Sequence, residues 1–240
     1  ANSAYDLAQL SRGRFVLGLG TQIKPHITKR FSMAWSDPAA RMREFVLALR
    51  AIWSCWLDGA PLDFRGEFYT HTLMTPMFTP TDTQHGVPRV FLAAVGPLMT
   101  EVAGETADGM IAHAFTTERY LREVTLPALS RGLAKSGRAR KDFQIAFPSF
   151  VVTGAAEKSW MAQRTAVCKQ IAFYGSTPAY RPVLELHGWG AAGERLHGLS
   201  RAGAWDEMPQ LITDEMLDAL AAIGSPERIA QTLVRRYGGL

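Results

Sequence analysis

The sequence predicts an α/β protein built on a parallel β-sheet. Short apolar runs alternate along the chain with longer segments whose apolar residues recur every three or four positions, which is typical of strand–helix units. The predicted strands lie within residues 14–22, 89–95, 110–115 and 143–153. Four or five strands do not close an eight-stranded barrel. The pattern therefore fits either an open doubly wound sheet or the central and C-terminal part of a barrel.

The composition is that of an ordinary globular protein. Of the 240 residues, 47% are hydrophobic and 20% are charged, and we expect a single domain over residues 1–240. The net charge of +4 comes from scattered Lys and Arg, without the basic stripe that nucleic-acid binding requires. No apolar run reaches membrane-spanning length and no signal-peptide pattern is present. Cys55 and Cys168 lie in apolar helical patterns, so we interpret them as buried hydrophobes of a protein from a reducing, cytoplasmic compartment.

The first residues indicate that the chain is incomplete. It starts without Met, and residues 5–10 already have the pattern of a helix in its last turns, ending at Gly13. A helix that leads directly into a strand belongs to the middle of a βαβ succession. We therefore expect sequence upstream of Ala1, and a further strand after the last helix.

The first predicted strand is an apolar run followed by glycines and a polar pair. We expect this strand to be buried on both faces, with its carboxyl end opening into a loop. Gly20, Thr21 and Gln22 stand at that end, where ligands bind in sheets of βα units, so we predict that they form part of a site. The alternative is that the glycines serve close packing alone. A dinucleotide-binding turn is disfavoured because Ile23 replaces the third glycine of its motif.

The loop of residues 23–36 is long, which is often a sign of function. It contains His26, which we predict to act in acid–base chemistry or substrate contact; the alternative is a solvated loop histidine. Asp37 and Pro38 then start a helix that runs to about Leu57 with one apolar face.

The second strand end combines small residues with a helix start. A short hairpin around Gly66, which we expect Glu67 to tie to the body of the protein, precedes this strand. After the strand, Gly96 and Pro97 begin a helix whose first amides suit an anion, while the small residues leave room for a flat ring or a phosphate. An ordinary tight turn between strand and helix explains the same residues equally well.

The rest of the chain continues the alternation. Thr116 or Thr117 caps a helix that runs to Gly137 and is kinked by Pro127, and Pro148 interrupts the fourth strand. The remaining predicted helices span residues 156–174, 178–188, 191–203, 213–224 and 225–237.

Several of these segments resemble the bacterial-luciferase-like family. The family's patterns LSxGRxxLGxG, AAxGP followed by ADGhI (h, hydrophobic), and GxPe are matched in order and spacing by residues 10–20 (LSRGRFVLGLG), 90–97 (VFLAAVGP), 107–111 (ADGMI) and 222–227 (AIGSPE). Residues 20–27 and 170–181 look most like the actinobacterial branch that is predicted to use the deazaflavin coenzyme F420.

The resemblance implies a TIM (β/α)8 barrel of the luciferase-like type, present as a fragment that lacks the first strands and the last. It also implies an oxidoreductase that transfers a hydride between coenzyme F420 and an organic substrate. By position, Thr21 and Gln22 would lie near the ring. Ala93, Ala94 and Val95 would line the ring or the ribityl chain, and Gly96 and Pro97 would help to hold the phosphate. His113, Ala114 and Phe115 would lie near the tail.

This chain departs from the family at one position that matters. Many deazaflavin enzymes of the family carry Gly-Glu after the strand-end Thr or Ser, and here those positions are Gln22 and Ile23, so that acid is absent. We keep two alternatives, a monooxygenase that uses reduced FMN and a non-catalytic flavin-binding or partner-subunit barrel. We expect a small-molecule substrate, no metal and no membrane or nucleic-acid partner. Because the family often forms dimers, a homodimer is the assembly that the resemblance suggests, and we expect the fragment alone to be inactive.

Overall fold

The computed structural model describes all residues, 1–240, as alternating strands and helices. The strands are β1 (Val16–Leu19), β2 (Phe64–Arg65), β3 (Thr70–His71), β4 (Arg89–Ala94), β5 (Gly109–Ala112), β6 (Gln144–Ala146), β7 (Phe150–Val152) and β8 (Ala221–Ile223). The α-helices are α1 (Asn2–Leu10), α2 (Pro38–Asp58), α3 (Pro97–Thr106), α4 (Glu118–Tyr120), α5 (Leu126–Ser136), α6 (Glu157–Gly175), α7 (Arg181–Leu186), α8 (Gly190–Ala202), α9 (Asp214–Leu220) and α10 (Ile229–Tyr237). No helix is long and apolar enough to cross a membrane.

The residues fall into two compact units. Unit 1 consists of Ala1–Ile111 with Ala128–Ala146, and unit 2 of Ala112–Pro127 with Phe147–Leu240. The expectation of a single domain over the whole chain stays a prediction.

Unit 1 is built on a four-stranded sheet in the order β1-β4-β5-β6. β1 runs parallel to β4, with Leu19 opposite Leu92, and β5 runs parallel to β6. The predicted parallel sheet is therefore confirmed, and the parallel strands point their carboxyl ends toward one edge. The hairpin around Gly66 is also confirmed, as the antiparallel pair β2 and β3.

The prediction that the first strand is buried on both faces was wrong. β1 alternates between exposed and half-buried residues, and Val16 is 42% exposed. The reason is its position at the end of the sheet order, where only β4 pairs with it. An apolar run in the sequence does not reveal whether a strand has neighbours on both sides.

Unit 2 contains a two-stranded parallel sheet, β7 with β8, which α6, α9 and α10 contact, while α8 packs on α6 and α7. The fourth predicted strand is two strands, because the chain is interrupted around Pro148 and its two parts join different sheets. The prediction of a helix over residues 213–224 was wrong at its end. That helix stops at Leu220, and the buried run Ala221–Ile223 pairs with β7.

Candidate active site

A cavity of about 460 Å³ opens in unit 1 at the carboxyl end of β1. This volume lies in the range of pockets that take organic ligands. The cavity is walled by the strand end, the loop of residues 23–36, α2 and one hairpin tyrosine. Its lining is mostly apolar, with Arg41 as the only charged member, and comprises Leu19, Gly20, Thr21, Ile27, Met33, Ala34, Trp35, Ser36, Pro38, Arg41, Met42, Phe45 and Tyr69.

Gly20 and Ala93 bring the ends of β1 and β4 close together at the edge of this cavity. A Cβ added to Gly20 would lie 3.4 Å from the Ala93 Cβ, which is ordinary van der Waals contact. Ala93 is exposed, whereas Ala94 is buried. The two strand ends therefore present a surface of small groups, with room above it for a flat ligand.

The chain turns sharply after this point, at Gln22. Its φ of 58° lies in the left-handed region, which residues other than glycine occupy at a cost of roughly 1–3 kcal/mol. The Thr21 Oγ1 donates a hydrogen bond of 3.3 Å to the Gln22 carbonyl. Such local strain often accompanies a functional segment, and Thr21, which precedes it, lines the cavity.

Gly96 forms an open cradle at the start of α3. Its φ is −89°, and a Cβ added to it would meet no atom within 4 Å. Pro97 follows at the first helical position, and the amides of Leu98 and Met99 lie in the first helical turn, where no carbonyl of the helix can accept from them. The position leaves space for an anionic group, and the anion site that the sequence predicts here stays a prediction.

His113, Ala114 and Phe115 belong to unit 2. The His113 Nδ1 accepts the Phe115 N–H at 3.0 Å, so the ring proton resides on Nε2, which lies 3.2 Å from the Tyr180 Oη. The His113 ring stacks on Tyr180 and meets the Tyr174 ring edge-on, and burial lowers the pKa of His113. Both ring nitrogens therefore have partners within unit 2. A role of these residues in cofactor binding stays a prediction.

His26 begins a π-helical stretch, His26–Arg30, and is half-buried. Its neighbour Ile27 lines the cavity, whereas His26 is not among the lining residues. The role of His26 in acid–base chemistry or substrate contact therefore stays a prediction.

Sequence reasoning missed the arrangement of α2 and the hairpin. Glu44, and not the predicted Glu67, ties the hairpin to the unit: its carboxylate accepts the N–H groups of Glu67, Phe68 and Tyr69 at 2.9, 2.7 and 2.5 Å. The partners are more than twenty residues apart, so no periodicity reveals them. The sequence offered only two hints of this contact: the glycine turn at Gly66, and Glu44 of α2, a carboxylate without a predicted role.

The structure contains no group of three or more His, Cys, Asp and Glu side chains that could hold a metal ion. Cys55 and Cys168 are free thiols. Cys168 is buried, as expected, whereas Cys55 is only half-buried, so the expectation of burial was wrong for it.

Comparison with known proteins relates this geometry to a family. A sequence model of the family described as luciferase-like monooxygenase matches residues 1–240. An uncharacterized protein of Mycobacterium tuberculosis is 58% identical over 240 residues, which are all of this chain and 71% of that protein. The 5,10-methylenetetrahydromethanopterin reductase of Archaeoglobus fulgidus is 29% identical over 239 residues, 97% of this chain and 67% of the reductase.

A solved structure shares the fold. The coenzyme F420-dependent tetrahydromethanopterin reductase from Methanopyrus kandleri superposes with a TM-score of 0.71 at 19% identity, covering 98% of this chain and 70% of that one. The predicted luciferase-like α/β fold is thereby confirmed.

Proposed function

The chain belongs to the luciferase-like monooxygenase family, and from that premise we propose that it is a cytoplasmic oxidoreductase that uses coenzyme F420 to transfer a hydride to or from an organic substrate. The observation that carries the proposal is the open carboxyl edge of the unit 1 sheet. There Gly20 and Ala93 leave space beside a cavity of about 460 Å³, and Gly96 leaves space at a helix start. Both matched proteins are named as reductases, which supports the choice of reaction class. The name of the Methanopyrus kandleri reductase also includes coenzyme F420, which supports the choice of coenzyme.

The residues of this chain fit such a coenzyme. In this proposal Gly20, Thr21 and Gln22, together with Ala93, hold the ring at the edge of the sheet. Ala94 and Val95 line the ring or ribityl chain beside Ala93, and Gly96 and Pro97 help to hold the phosphate. The contact of His113, Ala114 and Phe115 with the tail stays a prediction. When bound, the deazaflavin ring supplies the group that donates or accepts the hydride.

The chain itself supplies the surroundings of the reaction. Trp35, Met42 and Phe45 supply apolar walls to the cavity, which would help to exclude water from the reacting groups once coenzyme and substrate are bound. Neither Gln22 nor Ile23 can donate a proton as a carboxylic acid would. We propose that the imidazole of His26 takes that role, because imidazole is the most common proton carrier in enzyme catalysis.

The cofactor assignment is tested by titrating the protein with F420 and, separately, with FMN. Gly96→Ala and Gly20→Ala add one methyl group each at positions where the structure offers space and where φ is not positive. We expect both variants to fold normally and to weaken F420 binding by roughly tenfold. Gly198→Ala is the matched control, since Gly198 lies in α8 with no atom within 4 Å of an added Cβ.

Three results would overturn the proposal. Binding of FMN but not F420, with oxygen uptake in the presence of reduced FMN, would identify a monooxygenase. Tight F420 binding without turnover over a broad substrate panel would identify a non-catalytic barrel. If both glycine variants bind F420 as tightly as the wild type, the coenzyme does not bind at this edge of the sheet. Turnover unchanged in His26→Gln would remove the role of His26 alone.

A further inference from the structure

Arg41 is held in place by neighbours that leave its charge unused. Its Nε donates a hydrogen bond to the Ser36 Oγ. The guanidinium carbon lies 4.6 Å from the centre of the Phe68 ring and 5.9 Å from that of Tyr69. No carboxylate lies within ion-pair distance of Arg41, and its only side-chain hydrogen bond is the one to Ser36. Because Arg41 is exposed, its two terminal nitrogens and their four N–H groups are open to solvent and available to a ligand.

The other arginines of α2 are used differently. Arg43 donates from Nε and Nη2 to one carboxylate oxygen of Glu105, and Arg50 forms an ion pair of 3.0 Å with Asp108. Both side chains connect α2 to the segment around α3 and thereby serve the fold. Arg41 lies on the same helix, faces the cavity and has no such partner.

Glu44 sets the position of the aromatic rings that face Arg41. Its carboxylate accepts three successive N–H groups of the hairpin turn, which include those of Phe68 and Tyr69. A side chain at Gly66 would overlap that carboxylate, so the turn requires glycine there. The negative charge of Glu44 is thus used by the backbone of the turn, and the guanidinium of Arg41 is left free for a ligand.

The remaining walls of the cavity match an apolar ligand. Apart from Arg41, the lining carries polar groups only at Thr21, Trp35, Ser36 and Tyr69, among aliphatic and aromatic side chains. A guanidinium that is oriented in advance by stacking binds planar carboxylates with two parallel hydrogen bonds. A cavity of this kind favours a ligand with an apolar body and one acidic group.

We propose that the substrate of this protein is an apolar, partly aromatic carboxylic acid, whose carboxylate is bound by Arg41 in this cavity. The proposal rests on the proposed function for the reaction, and it goes beyond it by naming the chemical class of the substrate. Arg41 is the residue that determines specificity, and Glu44 and Ser36 are positioning residues.

The test uses a probe pair that differs only in the acidic group, 2-naphthoate and its neutral amide, 2-naphthamide. Calorimetric titration without any coenzyme separates this test from that of the proposed function. We expect wild-type protein to bind the naphthoate at least about tenfold more tightly than the amide. Arg41→Gln should reduce this preference to about twofold or less, and Arg41→Lys should keep an intermediate preference, because Lys retains the charge without the planar fork.

Arg30→Gln is the matched control. Arg30 also lies over an aromatic ring, 5.3 Å from the centre of Phe31, and also has no ion pair, but it does not line the cavity. We expect its removal to leave the preference unchanged. The proposal is overturned if neither probe binds, if wild type binds both equally, or if Arg41→Gln keeps the preference. If Arg41→Gln lowers F420 affinity while the naphthoate preference persists, the guanidinium serves the coenzyme and the substrate proposal is wrong.

Discussion

At the amino edge of the unit 1 sheet the charged side chains form ion pairs and hydrogen bonds within the protein. At the carboxyl edge the charged side chain of Arg41 has no ion-pair partner. Asp108, just before β5, accepts the Val90 N–H at 2.8 Å with one oxygen and pairs with Arg50 through the other. Arg138 donates to the carbonyls of Ala107 and Gly104 beside it. At the opposite edge, Arg41 has no carboxylate partner and Gly96 has no neighbour within 4 Å of an added Cβ.

The difference separates architecture from ligand binding. A buried polar group that is fully paired holds elements together, and removing its partner costs stability. An exposed polar group that is oriented but has no protein partner, such as Arg41, is hydrated and can exchange its water for a ligand. The two edges should therefore respond oppositely to mutation, the amino edge through stability and the carboxyl edge through binding.

The largest expected effect is that of Asp108→Ala. It removes the acceptor of the Val90 N–H and the carboxylate partner of Arg50, which keeps only its bond to the Thr106 carbonyl. We expect a loss of about 3 kcal/mol in the free energy of unfolding, measured by urea denaturation. The control is Asp63→Ala, whose pair with Arg65 is exposed, and which should change stability by about 0.5 kcal/mol or less. Equal effects of the two substitutions would contradict the structural role of Asp108.

The packing between α3 and α5 should give the next effect. A Cβ at Gly132 would overlap the Glu101 carbonyl oxygen, and one at Gly104 would approach the backbone of Leu129 and Leu133. We expect Gly132→Ala to lower the stability by about 1–3 kcal/mol, since backbone atoms cannot yield as side chains do. Gly198→Ala, with open space around it, should be neutral or slightly stabilising in the same urea titration.

His113 extends the comparison to unit 2, because both of its ring nitrogens have partners there. Burial lowers the pKa of His113 in the folded protein from its ordinary 6.5. The unfolded chain therefore takes up the proton first as the pH falls, so the contribution of His113 is complete above about pH 6.5 and is lost below it. The Tyr180 ring stacked on His113 stays neutral in this range, since burial raises the pKa of Tyr180.

We expect the urea concentration at the unfolding midpoint to decrease as the pH is lowered from about 7.5 to about 5.5. The decrease should be smaller in His113→Gln. Burial lowers the pKa of His187 as well, and its Nε2 lies 2.8 Å from the Thr117 Oγ1, so part of the dependence should remain in that variant. A variant with the full wild-type pH dependence would show that His113 is not protonated differently in the two states.

The smallest effect concerns the strain at Gln22. Replacing it by Gly should raise the stability by about 0.5 kcal/mol, because the left-handed conformation no longer strains a side chain. Arg12→Gly, at a φ of 55°, is the matched control with the same expected gain. Only Gln22→Gly should also weaken F420 binding in a titration. Weaker binding in both variants, or in neither, would remove Gln22 from the site.

The sequence was informative where local chemistry decides the structure. Asp37 and Pro38 correctly marked the start of α2, although the Asp37 side chain makes no capping hydrogen bond. Thr117 was one of two candidate caps, and its Oγ accepts the Tyr120 N–H as a cap should. Gly96 and Pro97 marked the start of α3 for the same local reasons.

The sequence was uninformative where distant residues decide. The exposure of β1 depends on which strands pair with it, and β8 is a three-residue apolar run that periodicity does not distinguish from the end of a helix. The environment of Arg41 depends on Glu44 holding a turn more than twenty residues away. The strand-end glycines could be located from the sequence, but not the cavity beside them.

Amide hydrogen exchange with and without F420 tests the division between the two edges most directly. The coenzyme should slow exchange in peptides that cover residues 19–23 and 95–100, at the carboxyl edge of the sheet. Exchange around residues 88–90 and 107–109, at the amino edge, should be unchanged, because those amides are already paired within the fold. Protection at the amino edge, or none at the carboxyl edge under conditions of saturating F420, would contradict the division between the two edges.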